Sequence, residues 1–251
     1  MALPAKLETR LHTARSRRVI YPTSDGKPMA ETDKHRDPAV YVIEALKARY
    51  VSQPNVYVSG NNFVFWEEGE PGKRISPDAY VVFGVRMRQR DSYRAWEEGG
   101  HLPDVVFEFT SRKTRQEDTD FKRPRYEREL RVPEYFLFDP TGDYLNPGLQ
   151  GYRLVGGRYV PMELVDGRLY SEKLGLELVM EGERLRLHDP ATDEWLLDHV
   201  EQVDKTQWEA SRARQAELRA EEEALARRAL EEQNRMLLEQ IEALNRRSSQ
   251  E

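Results

Sequence analysis

Two runs decide the fold: Ile75-Ser76-Pro77-Asp78-Ala79-Tyr80-Val81-Val82-Phe83 and Pro103-Asp104-Val105-Val106-Phe107-Glu108-Phe109-Thr110. Both are dense in β-branched and aromatic residues and carry a Pro-Asp turn signal at their entrance, so each reads as a strand. Strand side chains alternate faces, which puts Asp104, Val106, Glu108 and Thr110 on one side and Val105, Phe107 and Phe109 on the other. An ionised carboxylate in such a run loses hydration unless a cation or donors meet it. If the two strands pair, Asp78 and Glu108 converge. Hard oxygen ligands so placed suit Mg²⁺ or Mn²⁺, which keep waters and accept a phosphate oxygen. The competing reading makes these residues ordinary strand-end acids. Glu108, mid-strand between two phenylalanines, fits it least.

Downstream, Asp118, Lys122 and Tyr126 fall at i, i+4 and i+8 of a helical segment over 117–130. Proline is tolerated only in a first turn, so Pro124 predicts a late start near Arg123, or a kink. Residues 111–131 hold eight basic and five acidic side chains. A lysine aimed at a metal-bound phosphate would stabilise transition-state charge; the alternative is a helix surface laced with ion pairs such as Asp118 with Lys122. Glu134-Tyr135-Phe136-Leu137-Phe138-Asp139-Pro140 reads as a buried strand closed by a turn.

Upstream, Asp37 as N-cap and Pro38 at the first helical position predict a helix to Tyr50. His35 then lies just before it, as a cap, a substrate contact or a surface histidine. Residues 55–66 read as a hairpin, or two short strands, around Gly60-Asn61-Asn62. Residues 86–100 read as a short helix or an irregular excursion, and 150–190 as a β-meander. Strands alternating with helices indicate an α/β core.

The chain has 251 residues, 33% charged and 38% hydrophobic, with a net charge of −6. Nucleic acid therefore needs a local patch rather than a global field. Cysteine is absent, which excludes disulfides and thiolate sites and is compatible with a cytoplasmic location. No apolar run approaches the roughly eighteen residues of a membrane span. Residues 1–19 read as a flexible basic tail without the apolar core of a secretory signal. The five histidines show no metal-ligand spacing, and neither a glycine-rich phosphate loop nor a Gly-x-Ser-x-Gly elbow occurs. After Asp189-Pro190 a long helical pattern runs over about 200–247 without Gly or Pro. Leu230, Asn234, Leu237, Ile241 and Leu244 fit a d-a-d-a-d register with a stutter near 225–230, and Asn at a favours a parallel pair. A homodimeric coiled coil is expected; a single solvated helix or a partly disordered tail is the alternative.

The ordered segments resemble the Uma-type restriction endonucleases of bacteria, a branch of the PD-(D/E)xK nuclease superfamily. The matching pieces are Tyr21-Pro22-Thr23-Ser24-Asp25-Gly26-Lys27-Pro28-Met29 with His35, Ser76-Pro77-Asp78, Pro103 to Ser111, the Asp118, Lys122, Tyr126 face, and Val132 to Pro140. The resemblance covers about 20–200. It implies a restriction-endonuclease-like mixed sheet flanked by helices over 20–199; the C-terminal helix, read from its own pattern, occupies 200–251. The resemblance further implies Asp78 and Glu108 as metal ligands and catalytic residues with Lys122, and metal-assisted hydrolysis of DNA. Asp104, Asp118, Tyr126 and His35 are expected in support. The superfamily places a lysine two residues after the second acid; this chain has Thr110 there, so Lys122 on the next helix is the candidate replacement. Two further readings stand beside it: a nucleic-acid-binding relative that does not cut, and a dimeric scaffold.

Overall fold

The computed structural model describes residues 19–24, 26, 33–111 and 116–248, without the side chains of His35 and of 242–248. Apart from Val19, the basic tail lies outside the described residues, as do Asp25 and 27–32 of the segment around Tyr21-Met29. With elements numbered in chain order, the main sheet has six strands. Its spatial order is β1 (Val56–Ser59), β4 (Ala79–Phe83), β6 (Val105–Phe109), β7 (Glu134–Phe138), β8 (Leu149–Val155) and β9 (Arg158–Pro161). β6 and β7 are parallel and the other neighbours antiparallel. The sheet is therefore mixed, with a βαβ unit at its centre.

Alternation along β6 sends Val105, Phe107 and Phe109 into one core with Ala39, Val42, Ala45 and Leu46 of helix α1 (Asp33–Arg49). Val106 faces the other core, with Tyr126, Leu130, Tyr135 and Leu137. That second face is covered by helix α2 (Arg123–Arg128) and by a small sheet ordered β3 (Arg74–Ile75), β2 (Phe63–Phe65), β5 (Ser92–Arg94). A four-stranded antiparallel sheet of β10 (Arg168–Ser171), β11 (Leu176–Glu181), β12 (Arg184–Asp189) and β13 (Glu194–Trp195) packs on the α1 side. Tyr41 fastens it: its hydroxyl accepts from Leu187 N at 3.0 Å and donates to Leu196 O at 2.8 Å.

The structure corrects the start of the first helix and refines three further readings. α1 begins at Asp33, ahead of Asp37 and Pro38. Pro38 removes only the bond to the Lys34 carbonyl, and Arg36 ties the extra turn to Asp33 at 2.8 Å. His35 thus lies on α1 rather than before it. Of the two readings of 55–66, two short strands rather than a hairpin is the one found: β1 pairs with β4 while β2 joins the small sheet. Within 86–100 the chain forms β5 and then a 3-10 turn over Ala95–Glu98. The meander is divided, β8 and β9 extending the main sheet while β10 to β13 form their own.

The chain divides after Leu196 into two compact units. The second holds helix α3 (His199–Ser248) of 50 residues, on which Trp208, Leu218, Leu225, Leu230, Met236, Leu237, Leu238 and Ile241 are exposed. Among the described residues no helix is long and apolar enough to cross a membrane.

Candidate active site

Asp78 sits immediately before β4. The β4–β6 ladder pairs Ala79 with Phe107, so one further step sets Asp78 opposite Glu108. Its carboxylate confirms that approach, Oδ2 accepting from Phe109 N at 2.7 Å. The backbone of Asp78 is pinned from behind. Asn61 N donates to Pro77 O at 2.8 Å, and a Cβ on Gly60 would lie 2.0 Å from the Asp78 carbonyl oxygen and 2.7 Å from Ile43 Cδ1. Only glycine permits that approach. Sequence reasoning read Gly60 as a turn residue and missed this; a glycine beside a strand end, which can mark close backbone approach, was the available signal.

Glu108 is completely buried. Lys122 Nζ donates to its Oε2 at 2.8 Å and Tyr126 Oη donates to its Oε1 at 2.6 Å. The same ammonium lies 3.2 Å from Oδ1 of Asp118, also fully buried. Thr110 Oγ1 stands 3.5 Å from Asp118 Oδ2, and Tyr135, a second participant that sequence reasoning missed, donates to the Asp118 carbonyl at 3.2 Å. Thus Asp78, Glu108, Asp118, Lys122 and Tyr126 come together.

The element carrying Lys122 is not a regular helix. Glu117–Lys122 form a π-turn in which Arg123 N reaches back five residues to Asp118 O. Regular α-helix resumes at Arg123 with Pro124 in its first turn. The wide turn absorbs the hydrogen bond that Pro124 cannot make.

Burial drives the Glu108 carboxyl well above the usual range; Lys122 opposes this, while Asp78 and Asp118 add to it. Burial alone would lower Lys122, but Glu108, Asp78 and Asp118 outweigh it and hold the ammonium charged. Burial and then Glu108 raise Tyr126 far above its ordinary value, so its phenol remains a donor.

Asp104 does not join them. It lies four residues before Glu108, about 13 Å along the strand. Its Oδ2 accepts from Phe83 N at 2.9 Å, and its Oδ1 meets Lys173 Nζ at 3.4 Å. This acid ties the end of β4 to the start of β6. The side chain of His35 lies outside the described ones.

A mixed sheet with a central βαβ unit and a buried carboxylate–lysine cluster at the strand ends is the form of a restriction-endonuclease-like nuclease. The chain belongs to the Uma2 family, described as "Putative restriction endonuclease", whose model matches residues 7–185. Among solved structures, a protein from Anabaena variabilis described as "a putative nuclease belonging to DUF820" is 14% identical. That match covers 59% of this chain and 76% of the other, with a TM-score of 0.41. A comparison with curated proteins finds no match.

Proposed function

We propose that the protein is a metal-dependent endonuclease that hydrolyses phosphodiester bonds in DNA, with Asp78 and Glu108 holding Mg²⁺ or Mn²⁺. The observation that carries this reading is the convergence of Asp78 and Glu108 where β4 meets β6. Glu108 is completely buried, where an ionised carboxylate is costly unless cations meet it, and Lys122 is set beside it. Two acids so placed suit a divalent cation. Among the described residues no group of three or more acidic or histidine side chains is placed to hold a metal ion by itself. Two carboxylates, with waters and a substrate phosphate completing the coordination, would match the habits of Mg²⁺. When bound, such an ion lowers the pKa of an attacking water and polarises the phosphoryl group.

The chain's own groups have distinct tasks. Tyr126 fixes the orientation of Glu108. Lys122, charged and rigid between Glu108 and Asp118, supplies a cation for the developing negative charge. Asp118 positions Lys122. His35 is proposed in support from α1, and Asp104 serves the strand pairing. Supercoiled DNA should be nicked in Mg²⁺ or Mn²⁺, and Asp78→Ala or Glu108→Ala should each abolish nicking. Activity surviving both substitutions would overturn the assignment.

One observation favours a second reading. Both Glu108 oxygens are already engaged, and Thr110 stands where the superfamily has lysine. A relative that binds nucleic acid without cutting would retain DNA in a gel-shift assay and give no product with either metal.

The division into a nuclease-like domain over 20–199 and a helical segment over 200–251 is proposed with it, supported by the break in contacts after Leu196. The apolar side chains left exposed on α3 support a coiled coil with a second copy. A pair of sites would suit a duplex substrate, and the setting proposed is the cytoplasm.

A further inference from the structure

Lys122 and Arg123 are neighbours in sequence, yet their side chains part. Lys122 turns to Glu108 on β6. The guanidinium of Arg123 lies 3.9 Å from the ring centroid of Tyr152 on β8. β7 stands between these strands, so the two targets are about 10 Å apart across the sheet. Three arginines near α2 have carboxylates: Arg125 is 3.7 Å from Glu129, Arg128 is 3.6 Å from Glu127, and Arg158 is 3.9 Å from Glu127. Arg123, partly exposed, pairs with no carboxylate among the described residues. A guanidinium seated on a ring is held in place while keeping N–H donors whose fork matches a phosphate.

On the other side of Lys122 stands Phe121, which is 51% exposed. The Arg125 guanidinium lies 3.8 Å from its ring centroid. Core packing does not explain a phenylalanine left in water there. A net charge of −6 gives DNA no general attraction, so binding must come from individual contacts.

We propose that Arg123 and Phe121 are the strand contact of this nuclease site. Arg123 takes a backbone phosphate beside the scissile one, and Phe121 packs against a base. The proposal rests on the nuclease reading and extends it to substrate binding. Phosphate and stacking contacts leave different signatures. A lost phosphate contact lowers the slope of log affinity against log salt by about 0.9 on duplex DNA, whereas a lost stacking contact leaves the slope alone.

The test is fluorescence anisotropy of a labelled duplex across salt concentrations, with steady-state cleavage in Mg²⁺ alongside. Arg123→Gln should raise Kd and KM roughly tenfold, the size of one charge-assisted hydrogen bond, leave kcat within about twofold, and flatten the salt slope by about one. Arg123→Lys should keep the slope and recover part of the affinity. Phe121→Ala should weaken binding at unchanged slope, and the acid-paired control Arg128→Gln should match wild type. If wild type cuts DNA while Arg123→Gln and Phe121→Ala keep its KM and slope, the strand contact is wrong and the nuclease reading survives. If wild type neither binds nor cuts DNA, the nuclease reading itself falls.

Discussion

Replacing Lys122 by methionine keeps the aliphatic stem and removes the cation that meets both Glu108 and Asp118. At an effective dielectric near 20, the contacts at 2.8 and 3.2 Å correspond to about 6 and 5 kcal/mol of attraction. Much of this offsets the desolvation of the ions, and breaking a buried pair from one side typically costs about 3–5 kcal/mol. An independent bound follows from protonation. The orphaned Glu108 can take up a proton, and forcing it on at pH 7 costs about 3.7 kcal/mol against an unfolded pKa near 4.3, but only about 1 kcal/mol at pH 5. Lys122 is the group that holds the Glu108 carboxyl down against burial, so its loss raises that folded-state pKa further and sets the sign. Stability from its protonated form is fully present below the unfolded pKa and is lost as pH rises through the folded one. Lys122→Met should therefore be about 3–4 kcal/mol less stable than wild type at pH 7, with the deficit shrinking to about 1 kcal/mol at pH 5. Adding Glu108→Gln should restore at least about 2 kcal/mol at pH 7, because the two residues are coupled. Urea denaturation followed by fluorescence at both pH values measures all of this. A deficit under about 1 kcal/mol at pH 7, or one that does not change with pH, would refute Lys122 as the counter-charge.

Gly60→Ala should lower stability by about 1–3 kcal/mol and depress any nuclease activity, because its Cβ meets the Asp78 carbonyl at 2.0 Å; Gly72→Ala, with nothing within 4 Å, is the neutral control in thermal melts. Asp139, fully buried, accepts from Tyr144 N, Leu145 N, and the N and Oγ1 of Thr141. Burial acts to raise its carboxyl, but these donors outweigh it and hold it below the usual range. Its stabilisation is therefore present above the unfolded pKa near 3.9 and lost as pH falls through the folded value, and Asp139→Asn should flatten this acid limb in a pH series of melts. Ending the chain near Val200 should convert a dimer to a monomer in light scattering; a dimer unchanged by the truncation would show α3 to be dispensable.

Much of the site can be read from local rules because local rules place it. Period two alone puts Glu108 on the face opposite Phe107 and Phe109, and the spacing of four brings Lys122 to Asp118 and Tyr126 to Glu108 even though the turn over Glu117–Lys122 is wider than a regular helix. What joins these two sets is the crossover from β6 to β7, signalled by strand, helical segment and strand in succession. The features that escaped depend on partners distant in sequence. Nothing within 55–66 says that β1 will seek β4 while β2 joins a separate sheet, because a strand's pairing edge carries no local mark. Gly60 matters through Asp78, eighteen residues away. Asp104 and Glu108 look alike in a β-rich run. They differ because Asp104 meets the amide of Phe83 at the strand entrance, while Glu108 meets Lys122 under a helix.

The displaced lysine and the irregular turn are then one feature. A lysine at position 110 would project from β6 on the same face as Glu108, two residues further along. Thr110 occupies that place, fully buried, with its hydroxyl directed toward Asp118, so no ammonium arrives from the strand. One can only come from the segment above, and Lys122 provides it from the last position of the π-turn. Immediately after it the chain must start a regular helix at Arg123, whose second residue is proline. A helix wound regularly through Pro124 would leave the Asp120 carbonyl without its partner. Widening the preceding turn lets Asp118 accept from both Arg123 and Tyr135, which fixes the backbone from which Lys122 reaches Glu108. The irregularity at Pro124 thus belongs to the way this chain delivers a lysine to its carboxylates.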